Sequence, residues 1–305
     1  MNNNISTEKC YLCGTDTKVL YEFNLNPDKT YYILKCMDCN LMRTFPIPEK
    51  SEIKRFYSSK VRPSVFENGE VFNSRFLEKI KEIFIIRPML NKLYGLFKNK
   101  RGPRLLDIGC STGWITSIAR NIGFNVKGLE SNSKSANIAR EKYGLEIIEG
   151  FIEDLDLDEK FDVIVMMHVL EHFTDPIDTL TKVNDLLSEN GKLLIVVPNG
   201  ESLGTEIFME NYNWNVPRHL SFFTKNSMNL ILAKSQFRIR NISALSSPPL
   251  ILYSLGNYIN NKKHPAILKF IVRNPIIGNI VAFPLAFVGK LIGKPEVIAI
   301  YAEKI

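Results

Sequence analysis

Four cysteines in two Cys-x-x-Cys pairs are the most chemically directive residues of the chain. Cys10-Tyr-Leu-Cys13-Gly14 and Cys36-Met-Asp-Cys39-Asn40 are separated by 22 residues. Four thiolates at this spacing can close a tetrahedral zinc site, and the small residue after each second cysteine suits the tight turn around a bound thiolate. An iron site of rubredoxin type, or two unrelated pairs, would show the same spacing. Strand formers such as Tyr31, Tyr32 and Ile33 lie between the knuckles, and so small a unit would hardly have a core without a metal. Met1 to Glu8 is polar and lacks the apolar core of a secretory leader. Reduced thiols, and hence a metal rather than disulfides, are therefore expected.

A second constellation begins at Asp107-Ile-Gly109-Cys110-Ser111-Thr-Gly113, directly after the apolar run Arg104 to Ile108. Small residues at the carboxyl end of a strand let backbone approach a ligand closely. A dinucleotide site would want Gly-x-Gly-x-x-Gly, whereas this turn has serine at the second glycine and its last glycine at another offset. Glu130 closes the next strand, followed by Ser131, and such a carboxylate can accept hydrogen bonds from both hydroxyls of a ribose. It would equally suit the N-terminus of the following helix. Together these features describe an adenosine site without a pyrophosphate.

The histidines form a third group. His168, Glu171 and His172 are spaced i, i+3, i+4, so one helical turn would gather them. His219 follows in Trp214-Asn-Val-Pro-Arg218-His219-Leu-Ser-Phe222-Phe-Thr224, and His264 is the fourth. A histidine titrating near neutrality is a natural base for an alcohol or phenol proton, although a loop histidine can also simply hold backbone groups. Thr224 has the look of a helix N-cap.

These residues need a scaffold. After residues 49–101, read as a helical connector with Phe56, Phe76, Leu77, Ile80, Phe84 and Ile85 at helical spacing, short apolar strands alternate with helices. Strands are expected at Arg104 to Ile108, Asn125 to Leu129, Leu145 to Ile148, Phe161 to Met167 and Lys192 to Val197. Helices are expected at Trp114 to Asn121, Ser133 to Lys142 and Pro176 to Leu187. Alternation of this kind gives a parallel sheet covered on both faces. Arg238 to Leu245 and Val297 to Ala302 suggest an antiparallel pair at its edge. The expected division is a zinc ribbon over 1–48, the connector over 49–101, and an α/β domain over 102–305 with an insertion at 246–295.

A length of 305 residues, with 45% hydrophobic and 23% charged residues, excludes a wholly disordered or collagen-like chain. The net charge of +7 is unevenly spread: Asn211 to Pro295 has no acid and 11 lysines and arginines, leaving −4 elsewhere. The insertion is both apolar and basic, which suits the surface of an anionic membrane. A lid or a dimer interface would use the same residues, and nucleic acid is disfavoured because no recognition motif accompanies the charge. Its uncharged runs of 16 and 17 residues contain proline and fall short of, or barely reach, a membrane span. A cytoplasmic protein, with peripheral attachment to the inner face of the membrane as one option, is expected.

Residues 104 to 200 resemble the class I S-adenosylmethionine-dependent methyltransferases, whose hallmark is Asp/Glu-x-Gly-x-Gly-x-Gly. Asp107, Gly109 and Gly113 match, and Ser111 replaces the middle glycine. Glu130, Phe161-Asp162, Val169-Leu-Glu-His172, Asp175-Pro176 and Gly191 to Asn199 match further segments. More narrowly, the chain is similar to the branch of the ubiquinone-biosynthesis O-methyltransferases. Its knuckles followed by Asn40-Leu-Met-Arg-Thr-Phe-Pro46 resemble relatives associated with sugar and surface-polysaccharide modification. The resemblance covers about two thirds of the chain. It implies a seven-stranded Rossmann-like sheet with helices on both faces, preceded by a zinc ribbon, and S-adenosylmethionine as cofactor. Asp107 and the Gly109–Gly113 turn, with Cys110 and Ser111, would face the methionine part. Glu130 and Ser131 would lie at the ribose, Ile152 and Glu153 at the adenine, and His168 against the cofactor. Phe151 stands where many members have aspartate. Ubiquinone-type relatives carry Glu-x-x-Glu-His at this point, so the resemblance leaves two options, a second divalent ion near Glu171, or cofactor contact by His168 with a structural or acid–base role for His172; His219 is the candidate base from its residue type. The expected acceptor is a sugar hydroxyl on a nucleotide- or lipid-linked glycan precursor. A quinone-like phenolic lipid is the alternative, and a non-catalytic zinc-ribbon binding module a further one.

Overall fold

The computed structural model describes residues 8–26, 29–49, 52, 75–97, 99–155, 157–260 and 265–305. Phe56, Lys262, Lys263 and His264 lie outside the described residues. In the connector the described chain forms α1 (Arg75–Lys81), a π-helical turn (Glu82–Ile86) and α2 (Arg87–Tyr94).

Five parallel strands make the centre of the main sheet: β4 (Arg104–Ile108), β5 (Asn125–Glu130), β6 (Ile147–Glu149), β7 (Phe161–Met167) and β8 (Leu187–Pro198). Two antiparallel strands, β10 (Phe237–Leu245) and β11 (Val297–Lys304), complete the order β10-β11-β8-β7-β4-β5-β6. This is the expected seven-stranded sheet. Only β10 of the expected edge pair is at the edge, because β11 pairs with β8 on its other side.

Strand β7 shows why helices must cover both faces. Its residues alternate, Ile164 and Met166 entering one apolar core and Val163 and Val165 the other, and all four are buried. The first core is closed by α5 (Pro176–Leu186) and α7 (Lys225–Lys234), the second by α2 and α3 (Trp114–Ile122). Helix α4 (Ser133–Tyr143) presents Ala136 and Ala139 to a smaller cluster under β6. Asp175 starts α5 by accepting the amides of Ile177 and Asp178, and Thr224 starts α7 by accepting that of Ser227.

The cysteine unit forms a second sheet from β1 (Thr17–Asn26), β2 (Lys29–Cys36) and β3 (Met42–Phe45), extended by β9 (Ser221–Phe222) from beyond the main sheet. The ribbon is built into the domain. Cys10, Leu12 and Leu41 join the core beneath the main sheet, while Ile33 and Met42 pack with Trp214 and Phe222. Behind that second cluster lie α8 (Pro248–Asn260), α9 (Ala266–Arg273) and α10 (Pro275–Leu291), the three helices between β10 and β11; α6 (Leu203–Phe208) follows β8. Glu296, the acid that ends the acid-free stretch, is fully buried and takes hydrogen bonds from Ser202 Oγ and the Gly204 amide, both at 2.9 Å. It ties α6 to the start of β11.

Candidate active site

The turn after β4 is held open by its neighbours. The amides of Gly109 and Cys110 donate to the Leu129 carbonyl at 2.8 and 3.1 Å, and the Gly113 amide returns to the Cys110 carbonyl at 3.0 Å. Gly109 and Gly113 have φ of 71° and 77°, and an added Cβ would lie 2.5 Å from Val169 and 2.6 Å from Leu145 respectively. Glycine is therefore required twice over, by conformation and by space. Ser111 keeps φ at 51° despite its side chain, a left-handed state costing about 1–2 kcal/mol. The Cys110 thiol is buried, and Gly128 makes room for it: a Cβ there would sit 2.6 Å from the sulfur. Within the turn the thiol reaches only the Ser111 carbonyl, at 3.9 Å.

Glu130 bridges this turn to the next. One carboxylate oxygen accepts the Ser111 amide at 2.9 Å and the other the Asn132 amide at 2.7 Å. Each oxygen keeps capacity for one more donor, so a diol could be received on a carboxylate already aimed. Ser131 beside it is exposed. Asp107 is buried and accepts the Thr116 hydroxyl at 2.6 Å. Burial raises its pKa to about 7, against the lowering effect of Thr116, and Glu130 pushes in the same upward direction.

At the far end of this edge, Ile152 is buried and Phe151 is 37% exposed, which gives the phenylalanine ring a face for a flat ligand rather than a place in the core. Glu153 is raised by burial, and its Oε2 has no hydrogen-bond partner. Among the described residues this oxygen has no partner, so it can accept a hydrogen bond from a ligand or, when protonated, donate one.

The histidine group is arranged differently from a single helical turn. His168 has φ of 57° and lies ahead of the short 3₁₀ turn Leu170–His172. Its Nδ1 is 3.6 Å from Glu171 Oε1, an ion-pair distance rather than a hydrogen bond. Glu171 is buried, and among the described residues neither carboxylate oxygen has a hydrogen-bond partner. Burial would raise its pKa, but the three surrounding imidazoles outweigh it and hold the carboxyl well below the usual range. His172 Nδ1 lies 2.9 Å from the Arg218 carbonyl, and its ring meets that of His219 edge-on at 4.8 Å. Burial lowers both imidazoles, His219 to about 3; His172 lowers His219 further, and the charges of Arg218 and His168 lower His172, against the raising effect of Glu171. Glu171, His172 and His219 offer one ligand atom each within 4.8 Å of one another, and so could hold a metal ion.

Residues far away in sequence fix His219. Its carbonyl accepts the Thr44 hydroxyl at 2.6 Å across 175 positions, and the Thr44 amide donates to the Leu220 carbonyl at 3.0 Å. Tyr11, next to the first cysteine, reaches Ser221 Oγ at 3.2 Å. The ribbon thus grips the strand that follows His219. Beyond the carboxyl end of β8 opens a cavity of about 510 Å³, whose wall includes Tyr21, Lys35, Glu201, Trp214, Lys225 and Lys294. Trp214 packs on Phe222 with ring centres 5.0 Å apart, and Phe222 stands 6.1 Å from His219.

The four ribbon thiols also converge. Cys10 and Cys39 sulfurs are 3.7 Å apart, those of Cys13 and Cys36 3.4 Å, and all four lie within 4.8 Å of one another. Disulfide sulfurs would be about 2.05 Å apart. A tetrahedron with Zn–S of about 2.3 Å has edges of about 3.8 Å. The Asp38 amide already points at Cys36 Sγ from 3.4 Å. These residues fit a zinc ion, and the donor set of four thiolates suits it.

The sequence profile of the family described as a methyltransferase domain matches residues 83–242, more than half of the chain. The chain belongs to this methyltransferase-domain family. A ubiquinone biosynthesis O-methyltransferase of Actinobacillus pleuropneumoniae serotype 7 is 32% identical over 135 residues, covering 39% of this chain and 56% of that protein. The chain thus spans little more than half the length of that relative. An uncharacterized protein of Methanocaldococcus jannaschii is 25% identical over 208 residues, covering 68% of this chain and 88% of its own length. Among solved structures, the 1,6-didemethyltoxoflavin-N1-methyltransferase of Burkholderia thailandensis, with 1,6-didemethyltoxoflavin and S-adenosylhomocysteine bound, aligns with a TM-score of 0.52. It is 13% identical, with 93% of this chain and 98% of that one covered, which is a likeness of fold.

For this methyltransferase-domain chain, Asp107, the Gly109–Gly113 turn and Glu130 stand together on one edge of the sheet. His172 and His219 meet near the end of β7, with His168 beside Glu171. Sequence reasoning did not single out Thr44, Tyr11, Tyr21, Lys35 or Glu201. Their placement comes from the docking of the cysteine sheet on the segments after β8 and around β9, which no local spacing reveals.

Proposed function

We propose that this chain transfers a methyl group from S-adenosylmethionine to a hydroxyl of a polar, anion-bearing acceptor, a sugar on a nucleotide-linked or lipid-linked glycan precursor. When bound, the cofactor supplies a methyl group on a positively charged sulfur. The chain's own residues bind and aim. Glu130 receives the ribose hydroxyls, Phe151 covers the adenine, and the unsatisfied Glu153 oxygen meets its polar edge. Asp107, once ionised, faces the positive amino-acid end. His219, half-buried and steadied by His172 and Thr44, is neutral at pH 7 because burial lowers its pKa, and it takes the proton of the acceptor hydroxyl as the incoming methyl group acidifies it. Alignment of this kind can contribute about 7–11 kcal/mol, and a base roughly 10²–10⁴-fold in rate. In the ribbon, Cys10, Cys13, Cys36 and Cys39 would hold zinc as a structural ion.

The observation that carries the acceptor assignment is the cavity at the end of β8. Tyr21 and Trp214 offer ring faces, while the Lys35–Glu201 and Lys294–Glu206 ion pairs, with Lys225 beside them, leave a polar lining of one net positive charge, suited to a sugar hydroxyl with an anion nearby. The test is mass spectrometry of products after incubation with S-adenosylmethionine and either nucleotide-linked sugars, a polyprenyl-pyrophosphate sugar, or a catechol bearing a polyprenyl tail. Methylation of a sugar supports the proposal, and methylation of the catechol alone replaces it with the phenolic-lipid reading, which the ubiquinone-biosynthesis relative favours.

A second reading of the histidine centre rests on Glu171, whose two buried oxygens have no hydrogen-bond partner among the described residues. With His172 and His219 it makes a carboxylate–imidazole set that suits zinc, iron or manganese better than magnesium. Metal analysis separates the two readings. One equivalent of metal, unchanged in Glu171→Gln, leaves His219 as the base. Two equivalents, with one lost in that variant, make the group a metal centre.

A further inference from the structure

Helix α10 is turned inside out. Gly278, Ala282, Ala286 and Gly289 face the protein, while Ile276, Ile277, Ile280, Val281, Phe283, Phe287, Val288 and Leu291 face outward. Ile280 and Leu291 are each 67% exposed. The small residues permit close packing: a Cβ on Gly278 would lie 2.7 Å from Leu252 of α8, and one on Gly289 2.8 Å from the Lys294 carbonyl. Phe283 and Phe287 stack on each other with ring centres 5.8 Å apart, and both rings are about half exposed. Phe270 on α9 and Ile292 after α10, 57% and 56% exposed, extend the patch. A helix facing water would carry polar groups here, and a contiguous apolar surface of this kind marks an interaction site.

The rim identifies the partner. Lys269, Arg273 and Lys290 stand exposed around the patch, and no acid occurs between Asn211 and Pro295 to offset them. A second protein copy would meet its own cations across such a face. Among the described residues no helix is long and apolar enough to cross a membrane. At 17 residues and about 1.5 Å per residue, α10 is shorter than the hydrocarbon core.

We propose that α9 and α10 dock flat on an anionic lipid bilayer, with the large apolar side chains among the acyl chains and Lys269, Arg273 and Lys290 at the headgroups. Gly293 and Lys294, which directly follow α10, line the cavity at the end of β8. Docking therefore brings that cavity to the lipid surface, where a lipid-borne acceptor would lie. That link rests on the function proposed above; the docking itself does not.

The test is co-sedimentation of the full zinc-loaded chain with vesicles of phosphatidylglycerol and phosphatidylcholine in equal parts, against vesicles of phosphatidylcholine alone. Binding to the anionic vesicles that weakens as salt rises is expected. Each surface cation strengthens such binding about fivefold, so Arg273→Glu with Lys290→Glu should weaken it roughly thirtyfold or more. Ile280→Asp with Phe283→Asp should abolish it, while thermal stability and S-adenosylhomocysteine affinity stay at the wild-type level, which excludes unfolding as the cause. Equal binding to neutral vesicles, binding to neither, or a wild-type dimer that Ile280→Asp dissociates would overturn the proposal.

Discussion

The two halves of the proposed site are built on opposite plans. The cofactor half comes from one continuous stretch, Asp107 to Glu153, in which each strand of a parallel sheet ends at the same edge and delivers its turn there. The acceptor half is assembled from three distant pieces: the ribbon with Tyr11 and Thr44, the turn with Glu171 and His172, and the segment Trp214 to Phe222. The first half depends on local geometry and the second on the joining of β3 to β9. The halves should therefore fail separately, and each can be broken without the other.

The largest effect is expected from the ribbon. Structural zinc in small units is worth about 10–16 kcal/mol, so chelation or Cys36→Ser should unfold the cysteine sheet and release Thr44 from His219. Turnover should fall at least about 100-fold, while calorimetry shows S-adenosylhomocysteine affinity within about threefold of wild type. An equal loss of both would join the halves that the structure separates.

The converse break is Glu130→Ala. It removes the carboxylate proposed to receive the ribose and both amide bonds that hold the turn, so S-adenosylhomocysteine affinity should drop about 100-fold. Zinc stoichiometry should not change, as measured by metal analysis of the purified variant.

A finer cut is Thr44→Val. It deletes the hydroxyl that holds the His219 carbonyl but keeps the strand, and should lower kcat about tenfold with cofactor affinity and zinc unchanged. Thr44→Ser should restore the rate. A merely structural threonine would show up in melting temperature, with no recovery of kcat specific to serine.

The smallest effect concerns protons. Burial raises Asp107 to about 7, so it is largely neutral below that pH and ionised above it. A cofactor with a positive amino-acid end favours the ionised form, and affinity should rise about three- to tenfold between pH 6 and 8. In the free protein the sign is opposite: an acid whose folded pKa is raised contributes stability below its unfolded value, lost as pH rises towards 7. Asp107→Asn should flatten both profiles, as followed by calorimetry and thermal melts across pH.

The same contrast explains what could be read from residues alone. Strand β4, its glycine turn and Glu130 are legible because a short apolar run, a turn of small residues and an acid at a strand end are local properties. The cysteine pairs are legible because ligand spacing is local too. Ser111 was visible as a departure from the glycine pattern, but its left-handed backbone was not. Thr44 carries no signal, because its role arises only when β3 meets β9. Helix α10 shows the limit of hydropathy. It is as apolar as β7, yet β7 buries both faces while α10 buries its small residues and exposes its large ones. Composition says how much apolar surface exists, and only the neighbours decide which side is covered.

The central claim, a cofactor site that stands apart from the ribbon-held acceptor site, is tested most directly by calorimetric titration of S-adenosylhomocysteine into zinc-loaded wild type, Glu130→Ala and Thr44→Val, with NAD as control. Expected are equal affinities in wild type and Thr44→Val, loss in Glu130→Ala, and no heat with NAD. A folded, zinc-loaded wild type that gives no heat with S-adenosylhomocysteine would contradict it.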